Sequence, residues 1–220
     1  MTDLILVRHG ETIWHAENRY TGRSDIPLTP RGRTQADHLA TWAKQANLEA
    51  LWVSPLGRAL KTAAPSASAT GLEACVDARL RELDFGDAEG MTTAEMRAAF
   101  PEALAAFHRD PAGDHLPGGE LPADAVRRAM ECLDEIRAAH PNGRVLIVGH
   151  STLNRLLLCH LTGVPLSEYR RRFPVVRNCA VTELRWDGSA NVSLLQFNTP
   201  TETLTNFSEA TLGGTREEYP

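Results

Sequence analysis

Two apolar runs frame the chain. Leu4-Ile5-Leu6-Val7 and Val145-Leu146-Ile147-Val148 are each four branched residues in succession, the pattern of a strand covered on both faces. Between them the apolar period changes. Ala36, Leu39, Ala40 and Ala43 recur at helical spacing behind Thr29-Pro30, an N-cap followed by proline at the first helical position, and predict a helix to about Asn47. Leu51-Trp52-Val53 predicts a short buried strand. Ser54-Pro55 predicts a second capped helix, with Leu56, Ala59, Leu60 and Ala63 inward and a kink or stop near Pro65. Gly71 closes that unit, and Ala74-Cys75-Val76 predicts a brief strand. Val126, Met130, Leu133 and Ile136 predict one face of a long helix opened by Pro122, and Asn142-Gly143 turns the chain into the second apolar run. Ser151 reads as the cap of a helix through Leu161, ended by Gly163 and Pro165. Val181–Trp186 and Val192–Phe197, on either side of Asp187-Gly188, predict a terminal hairpin.

Strands alternating with helices predict an α/β fold, a parallel sheet covered on both faces. Trp14 to Leu28, with Gly22, Asp25 and Pro27, reads as a loop. Residues 85–122 are rich in Gly, Pro, Ala and charge. They predict short helices at Thr92–Ala99 and Glu102–His108 and a loop from Asp110 to Gly119, an insertion suited to a lid. The expected organisation is a single catalytic domain over 1–199 with a loosely attached polar tail over 200–220.

Composition narrows the partners. The 220 residues are 42% hydrophobic and 23% charged, enough for one full core. The net charge is −5 and no basic block stands out, which argues against nucleic acid and membrane surfaces. No apolar stretch approaches a membrane span, and no basic-then-apolar leader precedes the first strand, so a cytoplasmic protein is expected. Cys75, Cys132, Cys159 and Cys179 are scattered and read as four reduced core thiols rather than metal ligands. The terminal hairpin offers an edge at which a homodimer could pair.

The chemistry lies at the ends of the two apolar runs, where α/β sheets bind ligands. The first run ends in Arg8-His9-Gly10 and the second in Gly149-His150-Ser151. Arg58 falls on the first turn of the helix after Ser54-Pro55, and Glu82 follows the third strand. Arginine binds phosphate oxygens bidentately and keeps its charge, and a helix N-terminus adds free N–H groups. Two arginines, two imidazoles and a helix N-terminus suit a tetrahedral phosphoryl group. A neutral imidazole kept so by nearby guanidinium groups can attack phosphorus, and a carboxyl such as Glu82 can protonate the leaving oxygen. Arg170-Arg171-Arg172 reads as a solvated helix face.

Leu6-Val7-Arg8-His9-Gly10-Glu11-Thr12 resembles the signature of the histidine phosphatase superfamily, in its phosphoglycerate mutase-like branch. The resemblance continues through Arg19-Tyr20-Thr21-Gly22, Ser54-Pro55-Leu56 with Arg58, Leu80-Arg81-Glu82-Leu83, Glu89-Gly90, Pro117-Gly118-Gly119-Glu120, and Val148-Gly149-His150 with Arg155. It implies a three-layer αβα sandwich with a mostly parallel sheet. It implies His9 as the phosphorylated nucleophile, Arg8, Arg58 and His150 around the phosphate, and Glu82 as proton donor. His15, Thr21, Gly22 and Ser151 are expected to complete the phosphate site. Members of the family need no metal, and no cofactor is expected.

Three positions depart from the family pattern. His15 stands where asparagine is usual, so a phosphate ligand would have a pH-dependent charge. Leu121 replaces a serine, and Ala88 a tryptophan, both near the lid. The stretch Leu80 to Gly86 resembles the phosphatase version and lacks the tyrosine and basic residues typical of mutases. The reading is a metal-independent phosphomonoesterase acting on a small phosphorylated metabolite. Mutase-type transfer and a non-catalytic binding role are the alternatives.

Overall fold

The two apolar runs lie side by side at the centre of one sheet. They are β1 (Thr2–Arg8) and β4 (Arg144–Gly149), paired in parallel with Val7 opposite Val148 and Arg8 opposite Gly149. The computed structural model describes residues 1–188 and 192–202. With β2 (Ala50–Val53), β3 (Ala74–Val76), β5 (Val181–Trp186) and β6 (Val192–Thr199), the sheet runs β3-β2-β4-β1-β5-β6. The first four strands in that order are parallel, and β5 and β6 are antiparallel additions. Leu4, Ile5, Leu6 and Val7 are at most 1% exposed, because both sheet faces are covered. On one face α1 (Pro30–Ala43) and α2 (Gly57–Thr70) bury Leu39, Ala59 and Ala63 against Ile5, Val7 and Val148. On the other, α5 (Pro122–Ala139) and α6 (Ser151–Leu161) bury Leu133 and Leu157 against Leu4, Leu6 and Ile147. This is the expected αβα sandwich.

Several local expectations are corrected. The first helix ends at Ala43 and passes through turns to Asn47, which has φ 51°. The second continues through Pro65 to Thr70, and it begins at Gly57 behind Leu56 with no side-chain cap. Ser54 is committed elsewhere, as shown below. Cys75 is exposed, so only Cys132, Cys159 and Cys179 are core thiols. The insertion folds into α3 (Thr93–Ala99) and α4 (Pro101–Arg109). Met96, Leu104, Phe107 and Leu116 anchor it in the main core, each at most 3% exposed. No helix among the described residues is long and apolar enough to cross a membrane. From residue 203 the polar tail lies outside the described residues.

Candidate active site

Strand register assembles the site. Because Arg8 pairs with Gly149, the next residues, His9 and His150, leave neighbouring parallel strands together, and their rings stand 5.3 Å apart. The backbone N–H of His9 donates to the Gly149 carbonyl at 3.0 Å. Next to them Ser54 follows the end of β2, and its N–H donates to the Val148 carbonyl. The chain turns tightly after His9. A Cβ on Gly10 would collide with the Gly32 carbonyl in the first turn of α1, which glycine alone allows. Gly10 N–H donates to Thr62 Oγ1, and Thr62 in turn donates to the Arg58 carbonyl.

The His9 ring is set for attack. Its Nδ1 lies 2.7 Å from the Gly10 carbonyl oxygen, which can only accept. Nδ1 therefore carries the proton and Nε2 keeps its lone pair. Burial, and then the charges of His150, Arg8 and Arg58, hold the His9 pKa well below the ordinary value. Burial followed by Arg58 and Arg8 does the same to His150. Both imidazoles are neutral at physiological pH.

The arginines are held by backbone carbonyls rather than by carboxylates. Arg58 is fully buried, and donates to Ser24 O at 2.7 Å and Gly22 O at 2.8 Å. Arg8 donates to Val176 O, and its second terminal nitrogen lies 2.6 Å from His15 Nε2. Burial lowers Arg8 to about 10, so it stays charged. Carbonyl partners fix these groups without cancelling their charge. Arg8 Nε, Arg58 Nε and His150 Nδ1 are buried with no hydrogen-bond partner among the described residues. Orphaned buried polar atoms are costly, on the order of 1–3 kcal/mol each, and the clustering of two guanidinium N–H donors with an imidazole nitrogen marks a place built to receive an oxyanion.

The remaining expected residues divide. His15, Thr21, Glu82 and Ser151 line an open cavity of about 340 Å³ together with Arg8 and His9. Arg58 and His150 are fully buried and are not among its lining residues. Gly22 does not line it; its N–H is taken by Glu89, whose carboxylate also accepts from the N–H groups of Arg23 and Ser24. The helix N-terminus is also not free. Glu82 Oε2 accepts from Thr152 N and Oε1 from Leu153 N, each at 2.9 Å, so Glu82 caps α6. Ser151 is not the cap; His150 holds that position. His15 is pushed down to about 4, first by burial and then by the Arg8 charge, so it is a neutral ligand above that pH.

Four further contributors are not among the expected site residues, although Ser54 and Glu89 lie in the motifs that carry the family resemblance. Ser54 Oγ lies 2.7 Å from His150 Nε2. Asn178 Nδ2 donates to the His9 carbonyl at 2.7 Å. Glu89 organises the loop that holds Arg58. Arg170, expected to be solvated with its neighbours, turns inward instead. Its guanidinium lies 4.6 Å from the centre of the Phe107 ring and lines the cavity, while Arg171 and Arg172 pair with Glu168 at the surface. Among the described residues no group of three or more His, Cys, Asp or Glu side chains is placed to hold a metal.

An oxyanion pocket of this make-up, at the strand ends of an α/β sandwich, is that of a phosphoric monoester hydrolase. Comparison with known proteins gives it a family: residues 4–199 match the histidine phosphatase superfamily (branch 1), and the chain belongs to it. Phosphoserine phosphatase 1 of Hydrogenobacter thermophilus is 36% identical over 169 residues, covering 77% of this chain and 80% of that protein. The probable phosphoglycerate mutase GpmB of Cronobacter sakazakii is 34% identical, covering 86% and 87%. The solved mycobacterial glucosyl-3-phosphoglycerate phosphatase superposes with a TM-score of 0.81 at 30% identity, covering 90% and 98%.

Proposed function

We propose that the protein hydrolyses a small phosphorylated metabolite through a phosphohistidine at His9. The observation that supports this most is the fixed tautomer of His9, with Nε2 free in a buried pocket beside two uncancelled arginines. In the first step Nε2 attacks phosphorus and the ester P–O bond breaks. The electron pair goes to the leaving oxygen, which takes a proton from the Glu82 carboxyl. The Gly10 carbonyl stabilises the positive charge that grows on the ring, while Arg8 and Arg58 hold the equatorial oxygens. His150, neutral and anchored by Ser54, offers its free nitrogen to the same group. His15, Thr21 and Ser151 border it. In the second step water attacks phosphorus, Glu82 takes its proton, the N–P bond breaks and neutral His9 returns. None of these steps calls on a metal. The protein works in the cytoplasm, as a monomer or as a homodimer paired through the hairpin edge, with no nucleic-acid or membrane partner.

The test is phosphate release from p-nitrophenyl phosphate in the presence of chelator, with mass analysis of acid-sensitive phosphoenzyme. The wild type should release phosphate and gain one phosphoryl mass on the peptide carrying His9. His9→Ala should do neither. Full activity in His9→Ala overturns the mechanism. Isomerisation of 3-phosphoglycerate without phosphate release would replace hydrolysis by mutase-type transfer.

A further inference from the structure

One ring nitrogen of His15 faces donors only. Its Nε2 lies 2.6 Å from Arg8 Nη2 and 3.4 Å from Asn178 Nδ2, and neither group can accept. The Asn178 amide is not reversed, because its Nδ2 donates to the His9 carbonyl oxygen at 2.7 Å. Nε2 is therefore the bare nitrogen. Nδ1 has two oxygens within reach of its proton, Thr12 Oγ1 at 2.9 Å and the Thr12 carbonyl at 3.2 Å. One contact opposes this arrangement: the Thr12 N–H points at Nδ1 from 3.0 Å. A neutral imidazole has a single acceptor nitrogen, so it serves either that N–H or the Arg8 guanidinium. The guanidinium bond is charge-assisted and roughly twice as strong, and it decides the tautomer. Burial and the Arg8 charge keep the ring from taking a second proton until the pH falls to about 4.

We infer that His15 is a positioning residue: in its Nδ1–H form it accepts from Arg8 and sets that guanidinium, and it does not itself donate to the phosphoryl group. The inference rests on the phosphate pocket of the reading above and not on its covalent step. On the other terminal nitrogen of Arg8, Nη1 donates to the Val176 carbonyl at 2.9 Å. A single hydrogen bond lets a planar group swing about it, whereas acceptors at both terminal nitrogens fix its plane. Both acceptors are uncharged, so Arg8 is held without losing charge. Its Nε–H, buried with no hydrogen-bond partner among the described residues, is the donor left for an anion. Asn178 backs the same ring and also holds the His9 carbonyl, so one carboxamide ties the positioning residue to the backbone of the nucleophile. His15 thus shapes the phosphate site through Arg8.

The first readout is the tautomer itself. Nitrogen-15 NMR of the histidine-labelled wild type at neutral pH, with the His15 signals identified by their loss in His15→Asn, should show Nδ1 protonated and Nε2 bare. A proton on Nε2 overturns the inference. The second readout is calorimetric binding of inorganic phosphate, which needs no turnover. His15→Leu keeps similar bulk but offers no acceptor, and should bind phosphate about tenfold more weakly, the scale of one hydrogen bond to a charged group. His15→Asn, whose carboxamide oxygen can accept from Arg8, should stay within about threefold of the wild type. In an Arg8→Met background the same His15→Leu change should cost less than about twofold more, because its effect passes through Arg8. An undiminished loss in that background would make His15 a direct phosphate ligand and overturn the inference. So would unchanged phosphate affinity in His15→Leu. The tautomer is read on the wild type, so the inference is tested even where a variant fails to fold. Phosphate release from p-nitrophenyl phosphate reports separately on the hydrolase reading.

Discussion

Ser54 Oγ and His150 Nε2 are 2.7 Å apart in a fully buried contact between the ends of two strands. The pair fixes the orientation of the second imidazole and leaves its Nδ1 as the nitrogen available to a ligand. Ser54→Ala would leave Nε2 unpaired, at a cost of about 1–3 kcal/mol. The expected outcome is a lower Tm and a kcat/KM reduced about tenfold, with part restored in Ser54→Thr. Unchanged kinetics would detach Ser54 from the site.

Glu82 has two tasks that one substitution separates. It caps α6 through Thr152 and Leu153, and it lines the cavity as the proposed proton donor. Loss of a general acid matters only when the leaving group needs a proton. Glu82→Gln should therefore lose about 100-fold or more on an alkyl phosphate and less than about tenfold on p-nitrophenyl phosphate. A purely structural role would lower both equally, and that result would remove the acid role.

Arg58 depends on a residue it does not touch. Glu89 gathers the N–H groups of Gly22, Arg23 and Ser24, and the carbonyls of Gly22 and Ser24 hold Arg58. Glu89→Ala should loosen that loop, raise KM and weaken inhibition by inorganic phosphate about tenfold, with a smaller effect on kcat. The inhibition constant is the measurement; an unchanged value would show that Arg58 is held without the loop.

The buried imidazoles set the acid limit of stability. His15 is pushed down to about 4, and burial also lowers His9 and His150. In the unfolded chain each would take up a proton near 6.5. Between the folded and unfolded values the unfolded state binds more protons, so this stability is complete above about pH 6.5 and falls as the pH drops. For His15 the window runs from about 6.5 down to about 4. Tm should decline from pH 7 to pH 5, less steeply in His15→Asn. The same substitution should leave the shape of the kcat/KM profile above pH 5 unchanged. Equal Tm slopes would return His15 to an ordinary value.

What was legible in the chain followed from local signals, and what was not depended on distant partners. The runs at Leu4 and Val145 declare buried strands, and parallel register then brings His9 and His150 together. Ser54-Pro55 reads as a helix cap because the cap chemistry is local, whereas its true partner lies 96 residues away. Glu82 meets α6 across 70 residues, so its capping role leaves no local trace. The three consecutive arginines look alike in sequence. Helical geometry lets only Arg170 face Tyr20 and Phe107, both remote along the chain.

Leu121 is a departure with a structural consequence of its own. It occupies the N-cap of α5 with the right extended backbone, φ −66° and ψ 130°, but it has no side-chain acceptor for the first-turn N–H groups. Its side chain is 41% exposed, so little packing is lost on replacement. A serine there would accept from an N–H of the first turn, worth about 0.5–2 kcal/mol. In a domain of this size about 1 kcal/mol raises Tm by roughly 2–4 °C. Leu121→Ser should give that rise in a thermal melt, with kcat/KM on p-nitrophenyl phosphate unchanged because the α5 cap lies outside the residues lining the cavity. A lower Tm would show that the exposed leucine packs against the insertion more than its accessibility indicates. A change in activity without a change in Tm would tie the start of α5 to the shape of the substrate wall.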